Sequence, residues 1–381
     1  MQKMKGHIRK RGNKYAIVVD LGRDHNGKRK QTWFSGYDRK KDAEKDLPRI
    51  LNEINQGTFI EPSNETFKTY LEKWIRNKKT QIKPTTLDNY TRMLQNHIIP
   101  ALGHIKLEKL NRLHLKEFYS MLEEEKELAP SSIKKIHAIV RSALSDAVED
   151  GLIMKNVASG IKTPRIGPSK IKVWDEKQLM TFLNSIKEDP LYIAFHLPAM
   201  TGMRRGEVLG LRWQDIDFDQ KILRVMQTIT TEGFSDAKTQ TSDKRTIDLD
   251  DVTIMELKKR KKIVAQDKLK AGPAYEDNDL VVCTPLGKPI YPRNYNRKWY
   301  NFLEKVDVPK IRVHDLRHTH ATLMLLQGIP VKVVSERLGH ASIEITLNIY
   351  GHLLPSIQKE AIKLFSKNLF ENEKKENKNS L

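Results

Sequence analysis

The chain has 381 residues, enough for two or three domains that each bury a core. Its 68 Lys and Arg against 48 Asp and Glu leave a formal charge of +20, an excess that implies a polyanionic partner whose counterions are released on binding. A membrane role is excluded by the lack of any apolar run of ~18 residues and of a signal-peptide apolar region, and the single Cys283 excludes an intramolecular disulfide or a multi-cysteine zinc site, which fits a reducing cytoplasm.

Residues 1–56 read as a small module. Lys14-Tyr-Ala-Ile-Val-Val-Asp-Leu21 reads as a strand and Lys30-Gln-Thr-Trp-Phe-Ser35 as the returning strand, joined by a tight turn at Asn26-Gly27. A helix follows over 38–55, carrying Ala43, Leu47, Ile50, Leu51 and Ile54 on one face. Basic residues flank both strands (Arg9, Lys10, Arg11, Lys28, Arg29, Lys30), so the hairpin suits a groove of DNA. A solvated basic hairpin without specificity is the alternative.

Beyond a loop at 56–65 the pattern turns helical. Phe67, Tyr70, Leu71, Trp74 and Ile75 share one helical face. A second helix opens at Pro84 and stops before Pro100, a third spans 113–122, and a fourth is capped at 129–132 and ends near Gly151. The aromatic stripes read as bundle core. Residues 156–172, with two Gly, two Pro and four Lys or Arg, read as a linker. A larger unit from Val173 opens with helices, forms strands over 222–230 and 245–249 with a loop between, and returns to helix from Asp251. The polar tail after Phe370 has the composition of a disordered segment.

The chemistry concentrates in this larger unit. His-Asp-Leu-Arg-His-Thr-His occupies 314–320, Leu-Gly-His 338–340, Thr-Gly-Met-Arg-Arg-Gly-Glu 201–207, and Tyr350 follows. Phosphodiester cleavage needs a nucleophile, charge stabilisation on the non-bridging oxygens and a proton for the leaving oxygen. Metal nucleases use clustered carboxylates for this, whereas these motifs are rich in fixed cations. Arginine suits the task because its planar fork grips two phosphate oxygens and stays charged. Tyr350 is the expected nucleophile, with Ile345, Leu347 and Ile349 packing around it and Ser342 capping its helix. His314 and Arg317, three apart, share a helix face. His318 and His320 have a His-x-His spacing known in metal sites, but with no convincing third ligand they are expected to serve local structure.

Taken together, the order, spacing and identity of these motifs resemble the tyrosine recombinase, or phage integrase, family over about residues 65–370. The N-terminal hairpin is similar, more weakly, to the arm-site-binding domain of integrases from phages and conjugative transposons. The resemblance implies that Arg204 is the first catalytic arginine and Arg205 its decoy. It implies that His314 and Arg317 form the His-x-x-Arg pair, that His340 is the second histidine, and that Tyr350 becomes joined to a DNA 3′-phosphate. A lysine in a β-hairpin loop of the family, thought to protonate the leaving 5′-oxygen, corresponds to Lys238, with Lys244 as the alternative. Glu207 is expected to hold an arginine.

The expectation is thus a multidomain α+β protein. An arm-type DNA-binding domain (1–56) precedes a helical core-type DNA-binding domain (65–155), the linker (156–172), a mixed, mainly α catalytic domain with a small antiparallel sheet (173–370), and the tail (371–381). The two larger domains would clamp DNA like a C. A C-terminal helix over 355–370 would dock on a neighbouring subunit or on its own domain. The implied activity is a site-specific recombinase that needs no metal, ATP or cofactor. Its partners would be double-stranded DNA at core-type and arm-type attachment sites, three further copies in a homotetramer, an excisionase and a host DNA-bending protein, all in the bacterial cytoplasm at the nucleoid. A type IB topoisomerase-like nicking and closing enzyme, or a non-enzymatic DNA-binding regulator, are the competing readings.

Overall fold

The N-terminal module has an apolar run, Tyr15 to Val19, in which Ala16, Ile17, Val18 and Val19 are all buried. A computed structural model describes residues 6–23, 27–55, 64–165, 167, 171–236 and 245–351, with Ile362 and Ser366. In it, β1 (Gly6–Arg11), β2 (Lys14–Arg23) and β3 (Arg29–Tyr37) form an antiparallel sheet in chain order. The expected hairpin is therefore a three-stranded sheet. Ile8, Ile17 and Phe34 lie opposite one another and pack on Ala43 and Ile50 of α1 (Lys40–Asn55). The other face carries Trp33, which is 39% exposed, with the Arg9 guanidinium 5.8 Å from its ring. Gly12, at φ +60°, makes the β1–β2 turn without a Cβ clash. Of the expected Asn26-Gly27 turn, Asn26 lies outside the described residues.

The helical bundle contains α2 (Phe67–Lys78), α3 (Pro84–Met93), α4 (Ile99–Leu102), α5 (Arg112–Glu124) and α6 (Pro130–Glu149). Phe67, Tyr70, Leu71 and Trp74 are buried as the periodicity predicts. The second helix does not stop before Pro100. A π-turn at Leu94–Ile98 links α3 to α4, and Ile99 N–H reaches back to Leu94 O. The wider turn directly precedes Pro100, whose ring would crowd the carbonyl four residues back in a regular helix. Helix α5 starts at a reciprocal cap, where Asn111 accepts from the His114 N–H and the His114 ring faces the Asn111 N–H. Helix α6 begins on Pro130 with no side-chain cap. The start of the expected linker packs on the bundle: Ala158 is buried, and Asn156 donates to Arg141 O and Ser145 Oγ.

By internal contacts the chain divides into residues 1–168 and 169–381. The second unit is built from α7 (Glu176–Ser185), α8 (Tyr192–Thr201), α9 (Arg205–Leu209), the strands β4 (Ile216–Asp217), β5 (Ile222–Arg224), β6 (Gln227–Thr230), β7 (Gly233–Asp236) and β8 (Thr246–Asp248), and then α10 (Asp251–Ala271), α11 (Pro292–Leu303), α12 (Asp315–Leu326), α13 (Val331–Leu338) and α14 (Ile343–Tyr350). Helix α8 is apolar on nearly every side and runs through the core. Phe195 stacks on Tyr295 with ring centres 4.7 Å apart, beside Phe182, Trp174 and Trp299. The stretch 222–230 is not one strand. Its first part pairs with β4 and β8, and its second forms a separate hairpin, β6–β7. Gly206 in α9 and Gly210 just after it let that hairpin lie close: a Cβ on Gly206 would sit 2.9 Å from Ile229 O, and one on Gly210 would sit 3.1 Å from Thr228 Cα. This holds the hairpin that leads into residues 237–244 against the helix that begins beside Arg204.

Candidate active site

Two helix ends set the site. Helices α8 and α13 both close on a glycine in the left-handed region, Gly202 (φ +67°) and Gly339 (φ +65°). Side chains could not replace these hydrogens, since a Cβ on Gly202 would lie 2.6 Å from Leu338 Cδ2 and one on Gly339 would lie 2.8 Å from Arg245 Cδ. The last carbonyls of a helix lack intrahelical partners and carry the negative end of its dipole, so they attract cations. Arginines take these positions here. Arg317 donates to Gly202 O (2.6 Å) and Leu338 O (2.7 Å), Arg204 to Gly339 O (3.0 Å), and Arg245 to Arg337 O (2.9 Å).

Glu207 ties the cluster together. Its carboxylate accepts from the Arg204 backbone N–H (2.8 Å), from Arg204 Nη1 (2.9 Å) and from both terminal nitrogens of Arg245. Burial raises the carboxyl's pKa, but the hydrogen bonds and charge of Arg245, then Arg204, outweigh it and hold the group at about 2. One carboxylate thus faces three guanidiniums, and the net positive charge is unspent. Arg317 is buried, and burial followed by the Arg204 charge lowers its pKa to about 9, which leaves it charged at neutral pH. The Arg204 side chain stays 38% exposed and within reach of an incoming anion. Arg205 turns away to Asn296 (3.0 Å).

The histidines line up at the start of α12. His314 is exposed, and its ring meets that of His318 edge to face at 5.1 Å, as the four-residue spacing on a helix allows. His318, expected to serve local structure, contacts the expected nucleophile: its Nδ1 lies 2.7 Å from the Tyr350 hydroxyl. His320 does serve local structure, with Nδ1–H donating to Ala199 O (2.9 Å) and Nε2 accepting from Arg337 (3.3 Å). His340, just past Gly339, contacts the Thr346 hydroxyl through Nδ1 (2.7 Å). Burial, then the charges of Arg317 and Arg204, lower His340 to about 4.

Tyr350 closes α14 and is 2% exposed, packed with Ala321, Leu325, Val334 and Leu338. The expected packing is partly reversed: Ile345 and Leu347 are exposed, and only Ile349 packs against this cluster. Ser342 occupies the N-cap but makes no side-chain cap hydrogen bond. Burial raises the phenol's pKa above its ordinary value. Arg245, which the motifs did not single out, joins Glu207 in fixing the cluster. Lys238 and Lys244 lie outside the described residues, as does most of the expected helix over 355–370. Among the described residues there is no group of three or more His, Cys, Asp or Glu that could hold a metal ion, and no helix is long and apolar enough to cross a membrane.

His320 gives the unit a pH dependence. Burial, with Arg337 next, lowers its pKa from 6.5 to about 4. The folded state therefore binds fewer protons than the unfolded chain between those values, and stability falls as pH drops from 6.5 towards 4. The shift corresponds to about 3 kcal/mol. Urea unfolding should lose stability between pH 7 and pH 4, where His318 and His340, also held at about 4, add to the loss, and His320→Gln should lessen the slope by the share of His320. A slope unchanged in the variant would show that His320 contributes nothing.

Family models match in three stretches: an arm DNA-binding domain over 7–54, a phage integrase N-terminal SAM-like domain over 66–122, and the phage integrase family over 171–356. A XerC-like tyrosine recombinase of Caldanaerobacter subterraneus is 29% identical, with 95% of this chain and 98% of that protein covered. The ICEBs1 integrase of Bacillus subtilis is 25% identical over 91% of this chain and 95% of its own. Among solved structures, the Tn1549 transposon integrase in complex with transposon right end DNA superposes with a TM-score of 0.67 at 20% identity, covering 79% of this chain and 99% of that one. A lambda integrase tetramer bound to a Holliday junction gives 0.57 at 17% identity, over 90% and 94%. Fold and sequence define a DNA strand-transfer enzyme. The chain belongs to the phage integrase family, the tyrosine recombinases.

Proposed function

We propose that this protein is an integrase that cleaves and rejoins duplex DNA through a 3′-phosphotyrosine at Tyr350, and so integrates and excises a mobile element. The observation that carries the reading is the convergence of Arg204, of His314 and Arg317 at the start of α12, of His340 after α13 and of Tyr350 at the end of α14 around one unneutralised positive cluster. Arg204, Arg317 and His340 would stabilise the charge that develops on the phosphorus oxygens. His314 would orient the phosphate or help take the tyrosine proton. Lys238, or Lys244 in its place, would protonate the departing 5′-oxygen. Because the phosphotyrosine keeps the energy of the broken ester bond, rejoining needs neither ATP nor metal.

A homotetramer on paired core-type sites is the working assembly, in keeping with the lambda integrase tetramer on a Holliday junction. The N-terminal sheet would hold arm-type sites through Arg9, Trp33 and their neighbours. An excisionase and a host DNA-bending protein would set direction, and the setting is the bacterial cytoplasm at the nucleoid.

The test uses duplex DNA from the borders of the protein's own gene, nicked just beyond the cleavage site so that the released strand diffuses away. In EDTA and without ATP, the wild-type protein should leave an SDS-stable protein–DNA adduct. Footprinted binding without any adduct would sink the reading and favour a DNA-binding regulator. Relaxation of supercoiled DNA with no exchange between paired sites would favour the topoisomerase-like alternative.

A further inference from the structure

We propose that His318 is a catalytic residue, the general base that takes the phenolic proton of Tyr350 as its oxygen attacks phosphorus. The inference rests on the reading of Tyr350 as nucleophile and adds a residue to it.

Geometry is the first support. The Tyr350 oxygen lies 2.7 Å from His318 Nδ1, within direct proton-transfer reach. His314 touches the His318 ring instead, and His340 is engaged with Thr346. The buried phenol keeps its proton in the free protein, and in the tautomer with the ring proton on Nε2 it donates to the bare Nδ1, the arrangement the proposal requires. Helix α12 fixes that arrangement. It places Arg317 on Gly202 O and Leu338 O, and the next residue then presents its ring to the end of α14.

Charge is the second support. The groups facing His318 are His314, Asp315, Arg317 and Arg312 from its own helix and the turn before it, and Tyr350 and His340 from the segments packed on it. Burial, followed by the His314 charge, holds its pKa at about 4, so the ring is neutral and able to accept at cellular pH. A base this weak does not ionise the phenol beforehand. The phenolic proton becomes strongly acidic only while the P–O bond forms, and a negative phosphate drawn to the arginines raises the basicity of the imidazole at the same moment. The step balances. The Tyr350 O–H bond breaks and Nδ1 gains the proton, the tyrosine oxygen bonds phosphorus, and the P–O5′ bond breaks with O5′ taking its proton from the lysine acid. In rejoining, the imidazolium returns its proton to the departing phenolate.

Single-turnover cleavage of the nicked duplex tests this. His318→Ala should bind the site as the wild type does, by footprint, and cleave about a hundredfold more slowly. His318→Gln, which can accept a hydrogen bond but not hold the proton, should remain slow. A 5′-bridging phosphorothiolate, whose leaving group needs no acid, should not rescue His318→Ala, whereas a fluorinated, more acidic tyrosine at position 350 should. Wild-type rates in His318→Ala or His318→Gln, or rescue by the phosphorothiolate, would overturn the assignment. A wild-type protein that itself forms no adduct would instead overturn the recombinase reading beneath it.

Discussion

Tyr350→Phe should bind attachment-site DNA with wild-type affinity and form no covalent adduct, a loss of more than about four orders of magnitude in cleavage. The substitution removes one oxygen and leaves the ring among Ala321, Leu325, Val334 and Leu338, so the apolar packing of α12, α13 and α14 persists. What it takes away is the hydrogen bond to His318, whose ring is only half-buried and can find water, at a cost of about 1 kcal/mol. A small change in melting temperature beside a total loss of adduct would separate chemistry from folding. An adduct that survives the substitution would mean that another side chain attacks, and the assembly around α14 would need a different explanation.

Most of the candidate cluster is legible in the sequence, because its residues sit in short motifs whose order and spacing are informative together. Arg204, Arg317 and His340 converge on the two helix-ending glycines that those same motifs contain. What was not legible depends on contacts between elements. A helical pattern shows that His314 and His318 share a face, but not that the second of them meets a hydroxyl in a separate helix at the end of the motif set. The apolar residues of α14 were legible as a helix but not as a direction, and Ile345 and Leu347 turn outward while Tyr350 turns in. Strand β1 escaped because Ile8 is its one apolar side chain among basic neighbours, so it carries almost no alternation of its own and forms against β2. Pro100 read as a stop signal, yet a π-turn absorbs it. The division of 222–230 between two sheets follows from the close approach of β6 to the glycines of α9, which no local pattern announces.

Glu207→Ala should strongly destabilise the protein. The carboxylate is 7% exposed, and its partner Arg245 is 9% exposed, so removing the anion leaves a guanidinium buried beside Arg204 and Arg317 with no counter-charge. Breaking a buried pair by deleting one partner costs about 3–5 kcal/mol, far more than the pair itself is worth against apolar residues. Function should fall with it, because Glu207 holds both the backbone and the guanidinium of Arg204. Acid supplies a second reading of the same group. Its folded pKa of about 2 lies below the unfolded value of 4.5, so its contribution is present above pH 4.5 and is lost as pH falls towards 2. The His320 loss comes earlier, between pH 6.5 and 4. Wild-type protein should therefore weaken in two stages on acidification, and Glu207→Ala should lack the lower stage while keeping the upper one. If urea unfolding of the variant at pH 7 matched the wild type, the arginines would have to be held by the helix-end carbonyls alone, and Glu207 would be a passenger in the site.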